Sequence, residues 1–76
     1  VPQKLESVRY KSGKPLDHKL VVQVIAESQA RLGSTGRLVI RESGTEPVIR
    51  VMAEADDSIL VDAIVAEITS TIKQVA

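Results

Sequence analysis

Apolar and polar positions change their period three times along the 76 residues. Over residues 5–11, Val8 and Tyr10 alternate with polar neighbours, the period of two that marks a half-buried strand. Residues 15–32 switch to helical spacing, with Val21, Val24, Ile25, Ser28 and Leu32 on one side. Pro15 suits the first helical position, and Asp17 falls in the first turn, where its charge complements the helix dipole; Lys14 is a poor cap. Ser12, Gly13 and Lys14 turn the chain before this helix, and Gly33 is the expected glycine just past its end. From residue 36 the period returns to two. Leu38 and Ile40 alternate with Val39 and Arg41, and after a loop Ile49, Val51 and Ala53 alternate with Val48, Arg50 and Met52. A connection this short makes the pair an antiparallel hairpin. Leu60, Val61, Ile64, Val65, Ile68, Ile72 and Val75 then form a wide apolar stripe on a last helix, which Asp56 or Asp57 caps.

The predicted order is strand, helix, strand, strand, helix. Two amphipathic helices cover one face of a small, mainly antiparallel sheet, an α+β two-layer domain. At this length a single core is only marginally sufficient. Val, Ile and Leu supply 24 residues against one Tyr and no Phe or Trp, so the core is aliphatic. The sheet is small enough that its open face or edges are expected to meet further parts of a longer protein.

The hairpin tip concentrates the chemistry. Arg41-Glu42-Ser43-Gly44-Thr45-Glu46-Pro47 is followed three positions later by Arg50. Arginine presents a planar fork that takes two phosphate oxygens at once and stays charged at any relevant pH. Gly44 lets the backbone adopt positive φ and approach a ligand, so that successive amides form an anion nest. Ser43 and Thr45 add hydroxyl donors on either side. Pro47 opens the second strand, where its missing N–H is tolerated, and biases Glu46 towards an extended conformation. Glu46 would repel a phosphate and is expected to turn outward, to a sugar hydroxyl or a backbone donor. Ser-Gly-Thr is equally ordinary turn chemistry, and arginines on strands are often simply solvated. Taken alone, the residues admit both readings.

Three other features have simpler explanations. Gly33-Ser34-Thr35-Gly36-Arg37 lacks the spacing of a P-loop and follows a helix rather than a strand, so it reads as a helix stop and connector. The paired Asp56 and Asp57 have no third ligand nearby and read as caps rather than a metal site. His18 sits between Asp17 and Lys19 without a partnering serine or carboxylate constellation, and reads as a solvated histidine rather than a general base.

Composition narrows the partners. The absence of cysteine excludes disulfides, thiolate metal sites and a cysteine nucleophile, and suits a reducing cytoplasm. No apolar run approaches a membrane span, the opening Val-Pro-Gln-Lys is not a signal peptide, and a first residue other than Met predicts a piece of a larger protein. Net charge is zero, but residues 1–50 carry nine basic and five acidic side chains, and residues 51–76 one and five. The positive half contains the hairpin tip, which favours a small anion there. That charge, with so few aromatics, is too little for a nucleic-acid surface.

The run R-E-S-G-T-E-P-V-I-R-V-M-A-E resembles the phosphate-binding loop in the C-terminal domain of the α-D-phosphohexomutases. Glu-Pro after Ser-Gly-Thr, and Val-Met after the second arginine, are most similar to the bacterial branch that acts on an amino-sugar phosphate. The resemblance extends over nearly all the chain and is weakest at residues 1–4. It implies a TATA-binding-protein-like fold, and a parent enzyme that interconverts glucosamine 6-phosphate and glucosamine 1-phosphate. In such an enzyme a phosphoserine in another domain donates its phosphoryl group, a bisphosphate forms and reorients, and Mg²⁺ is held by aspartates of a different domain. The matched loop would hold the phosphate that is not reacting, through Arg41, Ser43, Gly44, Thr45 and Arg50, with Glu46 a possible sugar contact. This chain has no phosphoserine motif, no Asp-x-Asp-x-Asp loop and no separate sugar-recognition loop. It is therefore expected to be inactive alone, binding no cofactor itself, with the phosphosugar and the rest of the parent chain as its partners. The residues also accommodate a branch acting on mannose or glucose phosphates, a sugar-phosphate sensor and a pure interaction module.

Overall fold

The computed structural model describes residues 2–11 and 13–75, the side chain of residue 35 apart. Three strands and two helices follow one another as β1 (Gln3–Arg9), α1 (Lys19–Leu32), β2 (Arg37–Glu42), β3 (Val48–Glu54) and α2 (Ser58–Val75), with short 3-10 turns at Pro15–Asp17 and Gly33–Thr35. The sheet order is β1-β3-β2, and both pairings are antiparallel. The predicted α+β arrangement is therefore present, and its sheet is antiparallel throughout.

β3 is the centre of the molecule. Ile49, Val51 and Ala53 point into the helix layer and are fully buried, because β3 is flanked on both edges and covered on that face. Val8 joins them from β1, and Leu38 and Ile40 pack on the core from β2. The helices contribute Val21, Val24 and Leu32 from α1 and Val61, Ile64, Val65, Ile68 and Ile72 from α2. Ser28 is also buried on the α1 stripe, and its Oγ has no hydrogen-bond partner among the described residues. No helix among the described residues is long and apolar enough to cross a membrane.

Two boundaries differ from the sequence expectation. β1 begins at Gln3 and ends at Arg9, instead of running over residues 5–11, because it pairs along the whole of β3, from Gln3 opposite Glu54 to Arg9 opposite Val48. The sequence pattern hid this. Lys4 and Glu6 lie opposite Ala53 and Val51, on the helix-side face, yet remain exposed at the sheet edge. Charges at such inward positions discourage a second sheet from pairing with the edge. The first helix also starts later. Pro15 and Asp17 belong to the 3-10 turn, and His18, at φ −67° and ψ 137°, breaks it from α1. His18 is the cap: its Nδ1 accepts a 3.1 Å hydrogen bond from the Leu20 amide. Of the turn expected at Ser12, Gly13 and Lys14, the first residue lies outside the described residues.

The connector between α1 and β2 behaves as a helix stop. Gly33 closes α1 at φ +63°, donating its amide to the Gln29 carbonyl. Gly36 is held by packing, since a Cβ there would stand 2.8 Å from two side-chain carbons of Leu32. At the start of α2, Asp57 rather than Asp56 makes the capping bonds. Its Oδ1 accepts from the amides of Ile59 at 3.0 Å and Leu60 at 3.2 Å.

Candidate functional site

Helices cover one face of the sheet and leave the other open. Alternation along the strands puts Ser7, Arg50 and Arg41 side by side on that open face, since Ser7 is the register partner of Arg50 on one side and Arg41 on the other. The two sequence-predicted arginines are thus brought together at the loop end of the hairpin. Both are exposed. Like charges directly opposite one another disfavour strand pairing, and neither has an ion-pair or hydrogen-bond partner among the described residues. Among the described residues no acidic side chain pairs with either to offset this concentration of positive charge. A doubly charged anion would.

The loop between them spans residues 43–47. The Ser43 amide donates to the Val48 carbonyl at 2.8 Å and closes the hairpin. The Val48 amide donates to the Glu46 carbonyl at 2.8 Å, a three-residue turn for which the fixed φ of Pro47 is suited. Ser43 Oγ accepts weakly from the Thr45 amide at 3.4 Å, leaving its own hydroxyl hydrogen free to donate. The amides of Gly44 and Glu46 have no partner among the described residues. They are two donors separated by Thr45.

Gly44 departs from expectation. Positive φ occurs at Gly13 and Gly33 and not at Gly44, so no left-handed turn builds a run of successive amides there. Nor does packing require a glycine, because a Cβ at Gly44 would meet nothing within 4 Å. The glycine keeps the outer surface of the loop bare beside the two arginines.

The Glu46 carboxylate meets no backbone donor among the described residues, and pairs instead with an arginine that sequence reasoning did not single out. Its Oε2 lies 3.5 Å from Nη2 of Arg9, at the end of β1. The next residue, Tyr10, donates its amide to the Pro47 carbonyl at 2.9 Å. Arg9 and Glu46 are 37 positions apart, so no local pattern could have joined them. His18 and Asp57 are occupied as caps, and among the described residues no group of three His, Cys, Asp or Glu side chains converges as a metal site. A hollow of about 500 Å³ lies between β1 and α2, lined by Lys4, Asp62 and Lys73 among others, and it does not include the loop. A second hollow of about 440 Å³, between α1 and the outer edge of β2, includes Arg41 in its lining but neither Arg50 nor the loop. Arg41, Arg50 and the loop together therefore form one wall, open to solvent, rather than an enclosed pocket.

A two-layer α+β domain with an Arg-x-Ser-Gly-Thr hairpin facing outward defines a class, and comparison with known proteins bears on which. The chain belongs to the family described as phosphoglucomutase/phosphomannomutase, C-terminal domain, whose family model matches residues 4–71. Among its similar relatives are phosphoglucosamine mutases. That of Phenylobacterium zucineum is 58% identical over 76 residues, covering 100% of this chain and 17% of the relative. Those of Azorhizobium caulinodans and Novosphingobium aromaticivorans are 54% and 55% identical, with the same coverage of both chains. The chain thus spans about a sixth of the length of the relatives it matches. Among solved structures, an N-acetylglucosamine-phosphate mutase of the α-D-phosphohexomutase superfamily, in its product complex, superposes with a TM-score of 0.60. It is 27% identical, and the match covers 99% of this chain and 15% of that one.

Proposed function

We propose that this chain is the domain of a phosphoglucosamine mutase that grips the phosphate of the substrate not undergoing transfer. Arg41 and Arg50 supply two charged forks from one face, Ser43 and Thr45 supply hydroxyls, and the bare backbone at Gly44 admits close approach of the anion. The observation that carries this reading is the opposition of two arginines across β2 and β3, unpaired among the described residues, at the mouth of a loop whose Gly44 and Glu46 amides have no partner among them either. Binding energy from a remote phosphate positions the reactive end of a sugar phosphate and drives closure of the surrounding cleft.

The rest of the chemistry is assigned to other parts of the parent enzyme. Glucosamine 6-phosphate and glucosamine 1-phosphate are the proposed substrate and product, supported by the identity of 54–58% to three phosphoglucosamine mutases. Mg²⁺, in an enzyme of this kind, offsets the charge of the phosphoryl group in transfer. Among the described residues no group of three His, Cys, Asp or Glu side chains converges to hold it. Alone, the domain should bind phosphate weakly and catalyse nothing, since a single wall buries too little of the ligand.

Titration of the 76-residue chain with inorganic phosphate, followed through amide chemical shifts, tests the reading. Changes confined to residues 41–50 are expected. Changes spread over the open face of the sheet would replace the clamp with an interaction surface, and the absence of any change that Arg41→Ala abolishes would end the proposal.

A further inference from the structure

Arg9 reaches the loop from a strand distant in sequence. Its partner in the sheet is Val48, two positions from Arg50, so alternation places Arg9 on the same open face as Arg41 and Arg50. Of these three arginines, Arg9 alone has an acidic partner among the described residues, Glu46 at 3.5 Å. With the Tyr10 amide bonded to Pro47, the end of β1 holds two successive loop residues, one by charge and one by backbone.

The ion pair adds little to folding. Its side chains are 68% and 60% exposed, and solvent screens pairs of that kind. Its effect lies in where it leaves the carboxylate. Glu46 is the one acid within residues 43–47, and its own amide is one of the two donors left unused. A free glutamate side chain would sample orientations over those donors and repel a dianion there. Drawn to Arg9, the carboxylate stays on the β1 side of the loop and its charge is offset.

We propose that Arg9 is a positioning residue for phosphate binding. It holds Glu46 away from the seat formed by Arg41, Arg50 and the loop amides, without touching the anion itself. This inference rests on the phosphate-clamp reading above.

A set of variants of this chain, titrated with inorganic phosphate, tests it. Arg9→Ala should weaken binding by on the order of three- to tenfold. Glu46→Gln alone should leave affinity unchanged or improve it, and Arg9→Ala combined with Glu46→Gln should return to the level of the native chain. Arg9→Ala combined with Glu54→Gln, which restores the same net charge at the far end of β3, should remain as weak as Arg9→Ala alone. The inference is overturned if Arg9→Ala changes nothing. It also fails if the Glu46 double variant stays weak, since Arg9 would then contact the anion directly, or if the Glu54 double variant recovers equally, since the effect would then be bulk charge. Arg41→Ala separates the two levels. If it abolishes binding while Arg9→Ala does not weaken it, only the role of Arg9 is lost; if phosphate binds equally well without Arg41, the clamp itself is wrong.

Discussion

Arg41 and Arg50 face one another across β2 and β3, and no acidic side chain among the described residues pairs with either. This juxtaposition works against the hairpin, by up to ~1 kcal/mol for like charges directly opposite. Replacing either arginine by alanine in the full-length mutase should therefore separate activity from stability. Losing a set of charged hydrogen bonds, worth ~1.5–3 kcal/mol, should lower kcat/KM on the order of ten- to hundredfold and raise KM. The melting temperature should stay level or rise. Steady-state kinetics and thermal unfolding of the same two variants check this, and parallel losses of both would mark the arginines as structural.

Gly44 offers the same separation at the backbone. Neither its φ nor its surroundings oppose a methyl group. Gly44→Ala should thus stabilise the fold by about 0.4–1 kcal/mol, chiefly by restricting the unfolded chain. A ligand lying against the loop would meet that methyl, so phosphate affinity should fall. Chemical denaturation and a phosphate titration should move in opposite directions.

Gly36 is the contrasting case. A Cβ there would press on Leu32, a buried residue that anchors the end of α1. Gly36→Ala should cost about 1–3 kcal/mol, the usual range for overpacking a tight contact. Equilibrium unfolding in urea measures it, and an unchanged midpoint would show that the connector yields easily.

The two helix starts rest on unlike caps. His18 serves α1 through an imidazole nitrogen and Asp57 serves α2 through a carboxylate oxygen. Alanine at either position should cost about 0.5–2 kcal/mol, while His18→Asn, which keeps an acceptor, should retain most of the stability. Amide hydrogen exchange should localise each loss to the first turn of the affected helix.

How far the chain could be read beforehand follows from which signals were local. The alternation of Ile49, Val51 and Ala53 marked β3 because a covered central strand needs apolar residues at every inward position. The stripe on α2 was visible for the same reason. β1 was displaced because Lys4 and Glu6 occupy helix-side positions at an edge where burial is incomplete. The start of α1 was misplaced because Pro15 and Asp17 mimic a helix opening, whereas the chain spends them on a 3-10 turn and delays the cap to His18. At the loop, residue types suggested the chemistry, but a common face for Arg41 and Arg50 depends on hairpin register, which composition does not encode. The pairing of Arg9 with Glu46 depends in addition on the sheet order and could not have been read from either segment.

That sheet order has a consequence for synthesis. The middle strand is the last of the three to leave the ribosome, so within this sheet β1 has no hydrogen-bonding neighbour until β3 emerges some forty residues later (Arg9 must wait for Val48). Until then its backbone is available to any passing chain, and assembly is limited by one long-range closure rather than by the helices. Lys4 and Glu6, poor choices for burying a sheet, are good company for a strand that must wait alone.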